Sequence, residues 1–166
     1  MEVRALTEAD AEAWLALRLR ALREHPDAFV ATPEETESLP DVKKRFATAR
    51  DDESIVVGAF DPHLVGIVGC YRLEATKERH IARIWGMYIA PEARGRGIGR
   101  FMLDVVITLT REWPELDHLW LHVMRHQTAA RRLYLSCGFE VIGSHPRVLR
   151  VGDCYYDEDQ MVFRLR

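Results

Sequence analysis

Hydrophobic residues recur along this chain with two different periods, and the change of period separates helices from strands. From Ile98 to Leu109 they recur every three or four residues, which places them on one face of a helix. From His118 to Met124 they alternate with polar and aromatic residues, which is typical of a strand with one buried face. The same criterion divides the rest of the chain into helices, strands and short connections.

Residues that begin or end helices sharpen these boundaries. Thr7, with Asp10 three residues later, can cap a helix, and Pro26 and Pro114 lie just beyond two predicted helix ends. Strands are predicted at residues 2–6, 54–60, 64–75, 79–90, 118–124, 139–150 and 155–165, and helices at residues 8–24, 40–49, 98–109 and 127–137. The predicted element order is therefore βααβββαβαββ.

Composition narrows the class of protein. With 166 residues, 48% of them hydrophobic, the chain has enough material for one domain with a sizeable core. Its net charge of −3 disfavours nucleic acid as a partner, and no apolar run approaches the roughly 20 residues of a membrane span. The charged N-terminal segment is unlike a signal peptide, so we expect a cytoplasmic protein. The three cysteines are widely spaced and indicate neither a disulfide framework nor a zinc site.

The most informative segment lies between a predicted strand and a predicted helix. Residues 94–100 read Arg-Gly-Arg-Gly-Ile-Gly-Arg and follow Pro91. The first N–H groups of the next helix have no intrahelical partner and carry the positive end of the helix dipole. Because glycines leave those groups accessible and the arginines add positive charge, the segment favours a phosphate or pyrophosphate ligand.

Three other phosphate-binding loops do not fit this segment. It lacks the Gly-Lys-Ser/Thr of a P-loop, and Arg100 stands where a dinucleotide fingerprint needs its last glycine. A kinase glycine-rich loop joins two strands rather than a strand and a helix. From this segment alone, a second interpretation remains: a glycine-rich turn that only caps a surface helix and binds no phosphate.

Two segments resemble the signatures of the GNAT superfamily of acyl-CoA N-acyltransferases. Arg94-x-x-Gly97-x-Gly99 resembles the pyrophosphate loop of that superfamily. Residues 127–139 resemble its second signature, N-x-x-A-x-x-L-Y-x-x-x-G-F, with matches at Ala130, Leu133, Tyr134, Gly138 and Phe139 and with Gln127 in place of the Asn. The resemblance implies a single domain over residues 1–166 with an α/β (α+β sandwich) fold, in which helices cover both faces of a mixed, mostly antiparallel central sheet.

The resemblance also implies a function. It predicts an N-acetyltransferase that moves the acetyl group of acetyl-CoA to a primary amine by direct attack in a ternary complex. Tyr134 is the expected general acid, because a phenol with a pKa near 10 is suited to protonating a thiolate. The expected cofactor-binding residues are Met87, Tyr88, Ile89, Arg94, Gly95, Arg96, Gly97, Ile98, Gly99, Arg100, Gln127 and Ala130.

The general base is not identified by the motifs. Some members of the superfamily carry a Glu on the strand before the glycine loop, at positions that Arg83 and Trp85 occupy here. Other candidates are His122, Glu34, Glu35, Asp157 and Glu158, and some of them belong to two acidic runs, 34–37 and 157–159. Those runs suit a mouth for a cationic amine, but charge runs on loops are usually only solvated.

Three histidines at spacings of four raise the question of a metal site. His118, His122 and His126 would share an ion on a helix, but the alternation around them predicts a strand. Residues four apart on a strand lie about 13 Å from each other, which is too far for one ion. We therefore expect no metal.

Two rival functions and several acceptors stay open. A non-catalytic acyl-CoA-binding sensor would share the fold and the loop, and a mononucleotide-binding protein of another fold would share only the loop. For an enzyme, the acceptor is a small-molecule amine or a peptide amine, and a homodimer is compatible with the sequence. Neither nucleic acid nor a membrane is an expected partner.

Overall fold

The computed structural model describes residues 1–49 and 52–166. Seven strands form one sheet: β1 (Glu2–Ala5), β2 (Ser54–Phe60), β3 (Leu64–Arg72), β4 (Ile81–Ile89), β5 (His118–Met124), β6 (Glu140–Val151) and β7 (Cys154–Arg164). Four helices accompany them: α1 (Ala11–Glu24), α2 (Leu39–Thr48), α3 (Ile98–Arg111) and α4 (Thr128–Ser136). The predicted order and fold class are confirmed. No helix in the described ranges is long and apolar enough to cross a bilayer.

Local sequence signals account for the helix ends. The Thr7 and Asp10 side chains form a capping box before α1, and the Ser38 hydroxyl accepts a hydrogen bond from the Asp41 N–H at the start of α2. Gly138, with φ of +94°, ends α4. Strand β4 begins two residues later than predicted, because residues 76–78 form a short 3₁₀ turn that leads into it.

The strand order is β1-β2-β3-β4-β5-β7-β6, and every neighbouring pair is antiparallel except β4 and β5. The parallel pairing of β4 with β5 covers only Ile81–Arg83 against His118–Trp120. Beyond Arg83 the two strands diverge, and both line the walls of one cavity. The sheet is therefore open at its centre.

Two hydrophobic clusters cover the two faces of the sheet. Helices α1 and α2 pack on one face, where Trp14 and Val42 meet Ile67 of β3. Helix α3 packs on the other face, where Met102 and Val106 meet buried residues of β2 to β5. Helices thus lie on both faces, as the resemblance implies.

A bulge in β4 changes which face of the sheet the following side chains point to. Val68 of β3 stands opposite two β4 residues, Gly86 and Met87, and Gly86 has φ of +63°. Before the bulge Trp85 faces α1, and after it Met87 faces α3. Without the extra residue the two side chains would lie on the same face, because strand side chains alternate.

We predict that Gly69→Ala destabilises the fold through Trp85. A Cβ at Gly69 would overlap the Trp85 indole, so the ring would have to move, at a cost of about 1–3 kcal/mol. Gly143→Ala is the matched control, since a Cβ there meets nothing within 4 Å. Urea unfolding of both variants measures the difference. Equal midpoints for the two variants would contradict the packing argument.

Candidate active site

The diverging ends of β4 and β5 open onto a cavity of about 960 Å³. Its walls come from the second half of β4, from β5, from the N-terminal ends of α3 and α4, and from α1 with the loop after it. Val148 of β6 and Glu158 of β7 complete the lining. The cavity therefore joins the two sequence segments that carry the recognised motifs.

The glycine loop leaves the start of α3 accessible. Gly95 and Gly97 have φ of +74° and +76°, and a Cβ at either position would meet nothing within 4 Å. The first bond inside α3 runs from the Phe101 N–H to the Gly97 carbonyl, so the N–H groups of residues 98–100 have no intrahelical partner. Open space, free donors and the helix dipole make this end of the cavity suited to an anion.

Gly99 differs from the other two loop glycines. A Cβ there would lie 2.8 Å from Leu133 Cδ2 and 3.0 Å from Ile89 Cδ1. Its small size therefore lets α3 pack closely against α4 and β4. The motif thus contains two glycines that leave open space and one that permits helix packing.

The three loop arginines have different surroundings. Arg94 lines the cavity, donates to the Ile89 carbonyl at 2.9 Å and lies 3.1 Å from His25 Nε2. Arg100 also lines the cavity, and it donates to the Ser136 carbonyl at 3.0 Å. Arg96 lies outside the lining and pairs with Asp61 at 2.5 Å. Among the expected cofactor-binding residues, Arg96 is the one that the cavity lining does not include.

The end of β4 contributes three consecutive residues to the cavity lining. Met87, Tyr88 and Ile89 all line it, but the Tyr88 side chain turns into the α1 cluster and its hydroxyl donates to Glu24 at 2.5 Å. The edge of β4 that faces β5 is free beyond Arg83. An extended ligand could therefore pair with this edge.

Tyr134 reaches the cavity from α4 and is 7% exposed. Its hydroxyl donates to the Met87 sulfur at 3.5 Å, which is a weak acceptor. Burial raises the pKa of Tyr134 above its ordinary value, so the hydroxyl keeps its proton at neutral pH. The bulge and the helix together place a protonated hydroxyl beside the end of β4.

The two other expected residues of the second motif also line the cavity. Ala130 lies on the first turn of α4, and Gln127 is its N-cap residue. The Gln127 amide nitrogen lies 3.1 Å from His126 Nε2, which in turn lies 2.7 Å from an Asp27 carboxylate oxygen. Gln127 is thereby tied to the loop after α1.

Sequence reasoning did not bring together a cluster of three side chains, two of which, His122 and Glu158, line the cavity. His122 of β5, His145 of β6 and Glu158 of β7 place a nitrogen or carboxylate oxygen each within 4.8 Å of one another. Burial lowers the pKa of His122, the Glu158 carboxylate opposes that shift, and the charges of Arg83 and His145 reinforce it. His122 is therefore mostly neutral at pH 7 and can accept a proton. The donor types also suit a divalent ion, so the expectation of no metal stays a prediction.

The other candidate bases divide into two groups. Glu35 lines the cavity, although its carboxylate accepts the Thr32 N–H at 2.9 Å. Glu34 and Asp157 lie outside the lining, and Asp157 accepts the Arg147 N–H at 2.9 Å. One member of each acidic run thus lines the cavity, Glu35 from the first and Glu158 from the second, and an acidic mouth for a cationic amine stays a prediction.

The cavity wall also contains residues that no motif indicated. Arg18 of α1 lies 8% exposed between the rings of Phe29 and Trp85, with its guanidinium carbon 4.9 Å and 5.7 Å from their centroids. One sequence signal was available. Arg18 lies four residues after Trp14 and therefore on the apolar face of α1, where a charged residue is unusual.

Comparison with known proteins agrees with this geometry. The family model "Acetyltransferase (GNAT) family" matches residues 13–139. A mycothiol acetyltransferase of Thermobispora bispora is 35% identical over 136 residues, which are 78% of this chain and 43% of that protein. An aminoglycoside N(6')-acetyltransferase type 1 of Stenotrophomonas maltophilia is 29% identical over 83% of this chain and 85% of its own. The Salmonella typhimurium protein yncA, solved with its cofactor acetyl-CoA, superposes with a TM-score of 0.87 at 20% identity, covering all of this chain and 94% of that one.

The chain belongs to the GNAT family of acetyltransferases, because the family model matches well over half of it. The suspected family is thereby confirmed. The chain spans less than half the length of the mycothiol acetyltransferases that it matches.

We predict that His122 titrates below its usual pKa of 6.5, and that its neighbours shift it in opposite directions. Glu158→Gln removes a negative charge and lowers the pKa of His122 further, whereas Arg83→Gln removes a positive charge and raises it. Nuclear magnetic resonance titration of the imidazole measures both shifts. Arg111→Gln, at the exposed end of α3, is the control that leaves the titration unchanged. A His122 pKa above 6.5 in the unmodified protein would contradict the burial argument.

Proposed function

We propose that this chain is an acetyl-CoA-dependent N-acetyltransferase that transfers the acetyl group directly to a primary amine in a ternary complex. The observation that carries the proposal is the gap between β4 and β5. A helix end suited to an anion lies at one end of it, and Tyr134 and His122 line it from opposite faces of the sheet. Two relatives carry the names mycothiol acetyltransferase and aminoglycoside N(6')-acetyltransferase type 1, and these names support a small-molecule acceptor.

The residues present suit acetyl-CoA. The pyrophosphate would bind the free N–H groups at the start of α3, next to Gly95 and Gly97, with Arg94 and Arg100 adding positive charge. The pantetheine arm would pair with the free edge of β4 at Met87–Ile89. When bound, acetyl-CoA supplies the activated thioester. Gln127 and Ala130 would contact it from the start of α4.

The bulge provides a candidate donor for the thioester carbonyl. Gly86 and Met87 stand opposite a single β3 residue, so the regular ladder is interrupted at this point. A backbone N–H of this segment, aimed at the developing oxyanion, would stabilise the transition state by about 3 kcal/mol. The backbone needs no rearrangement to do so, because the sheet already holds it in place.

Tyr134 would protonate the leaving thiolate. Its hydroxyl is protonated at neutral pH, burial raises its pKa further, and its present acceptor, the Met87 sulfur, is weak. The hydroxyl can therefore turn to a better acceptor when negative charge develops on sulfur.

His122 and Glu158 would receive the amine from the opposite face of the sheet. A neutral imidazole accepts the proton that the attacking amine loses, and the nearby carboxylate stabilises the resulting imidazolium. The two proton-handling groups would thus lie on opposite sides of the reacting carbonyl, one for the nucleophile and one for the leaving group.

The glycine loop can be tested without altering its backbone conformation. Asn tolerates the left-handed region, so Gly97→Asn should fold normally while its side chain obstructs the start of α3. We expect acetyl-CoA affinity, measured by calorimetry, to fall by at least about tenfold, because that is the effect of losing one hydrogen bond to a charged group. Gly152→Asn, in the turn between β6 and β7 with φ of +58°, controls for backbone strain. Unchanged affinity in Gly97→Asn would remove the loop from the cofactor site.

Tyr134→Phe tests the general acid. Only the hydroxyl is lost, so packing and acetyl-CoA affinity should persist while kcat falls by about 10²- to 10⁴-fold. Tyr155→Phe, which alters an exposed tyrosine on β7, is the matched control with normal turnover. Normal kcat in Tyr134→Phe would exclude the assigned role, and loss of acetyl-CoA binding would make Tyr134 a structural residue.

A further inference from the structure

Buried polar atoms without a partner are concentrated around one side chain, Trp85. Among residues 1–49 and 52–166, the buried side-chain atoms that lack a hydrogen-bond partner are Arg18 Nη1, Arg45 Nη2 and Arg83 Nε. Arg18 and Arg45 both place their guanidinium carbons 5.7 Å from the centre of the Trp85 ring, and Arg83 lies two residues before it on β4. Buried donors of this kind are costly unless something accepts their hydrogen bonds. Two of the three, Arg18 and Arg83, line the cavity and are therefore suited to an anionic ligand.

Arg18 is held with its edge free. The rings of Phe29 and Trp85 lie close to its guanidinium, and its Nη1 approaches Gly86 so closely that a Cβ there would lie 3.3 Å from it. Stacking occupies the faces of a guanidinium and leaves the N–H groups in its plane for a planar acceptor such as a carboxylate. Arg18 lines the cavity, so that acceptor can come from a ligand.

Arg83 lines the same cavity on the same face of the sheet. Side chains alternate along β4, so Arg83 shares the α1 face with Trp85. Within the described part of the chain no carboxylate pairs with Arg83. In contrast, Arg45 already has a carboxylate partner, Glu37, at 2.9 Å and lies outside the cavity lining, so it adds positive charge without offering a site.

Resting on the proposed function, we infer that the acceptor amine carries a carboxylate next to it, so that the substrate is a free amino acid whose carboxylate binds Arg18 and Arg83. His122 and Glu158 would bind the amine of the same molecule. Arg83 stands opposite Trp120 in the parallel pairing of β4 with β5, and His122 lies two residues beyond Trp120 on the same face, so the two groups are neighbours across the gap. That proximity suits a carboxylate and an amine on adjacent carbons better than two widely separated groups.

The phosphates of acetyl-CoA are a poor alternative counter-anion. The glycine loop follows Ile89, and Arg83 lies six residues before Ile89 on an extended strand, a distance of about 20 Å. The loop also has its own positive charges in Arg94 and Arg100. The pyrophosphate and the acceptor carboxylate would therefore bind at different ends of the cavity. A polycationic acceptor would be repelled by the same arginines.

The first test compares free L-amino acids with their carboxamides as acceptors for the unmodified protein. The amine of the carboxamide loses its proton more easily, because no negative charge lies next to it. Intrinsic reactivity therefore favours the carboxamide over the free acid. We nevertheless expect kcat/KM to be about 10- to 100-fold higher for the free acids, since the amide cannot accept charge-assisted hydrogen bonds from both arginines. Equal or higher kcat/KM for the carboxamides would overturn the inference while leaving the proposed function intact.

The second test uses variants of the two arginines. Arg83→Gln and Arg18→Gln should each abolish most of the preference for the acid, raising KM for the acids far more than for the amides. Acetyl-CoA affinity, measured by calorimetry, should stay unchanged and shows that each variant is folded. Arg111→Gln, on the exposed end of α3, is the matched control that keeps the preference. A preference that survives in both cavity variants would overturn the assignment of the arginines.

A third measurement does not depend on turnover. The product class, an N-acetylated amino acid, should raise the melting temperature of the unmodified protein more than its carboxamide does, and Arg83→Gln should remove the difference. If no amine of either class is acetylated, this comparison still decides whether the arginines bind a carboxylate. Equal shifts for the acid and the carboxamide would overturn the inference.

Discussion

The short parallel contact between β4 and β5 is the constraint on which the rest of this structure depends. Two neighbouring strands pair over only three residues and then diverge, although both remain anchored in one sheet by their outer neighbours. The gap exposes backbone donors and acceptors that a closed sheet would have used internally. A ligand that runs along β4 can use them, and it reaches both faces of the sheet from a single opening.

The bulge at Gly86 and Met87 determines what the gap can do chemically. It turns Met87 toward Tyr134 on the α3 side and leaves Trp85 on the α1 side. One extra residue therefore separates a wall that holds a protonated hydroxyl from a wall that holds arginines and a histidine. The two walls suit the two ends of an acyl transfer, the leaving group on one side and the nucleophile on the other.

The charge of Arg18 on the α1 side of the cavity is positioned by aromatic stacking rather than by an ion pair. Aromatic rings position Arg18 without neutralising it, and Gly69 allows the indole of Trp85 to lie flat against β3. Asp159, in contrast, accepts a hydrogen bond from Arg131 at 2.8 Å. Arg18 and Arg83 line the cavity, so their charge lies where an incoming molecule would meet it.

The local sequence predicted the elements, because periodicity, capping residues and glycines act within a few neighbouring residues, and most of its candidate cofactor-binding residues line the cavity. It predicted the strand from His118 to Met124 with its observed limits, and Tyr134 beside the cavity. It could not predict that His122 meets side chains from β6 and β7, or that Arg96 pairs with Asp61 instead of lining the cavity. Such contacts depend on strand order and register, which bring together residues far apart in the chain, and only the folded sheet decides them.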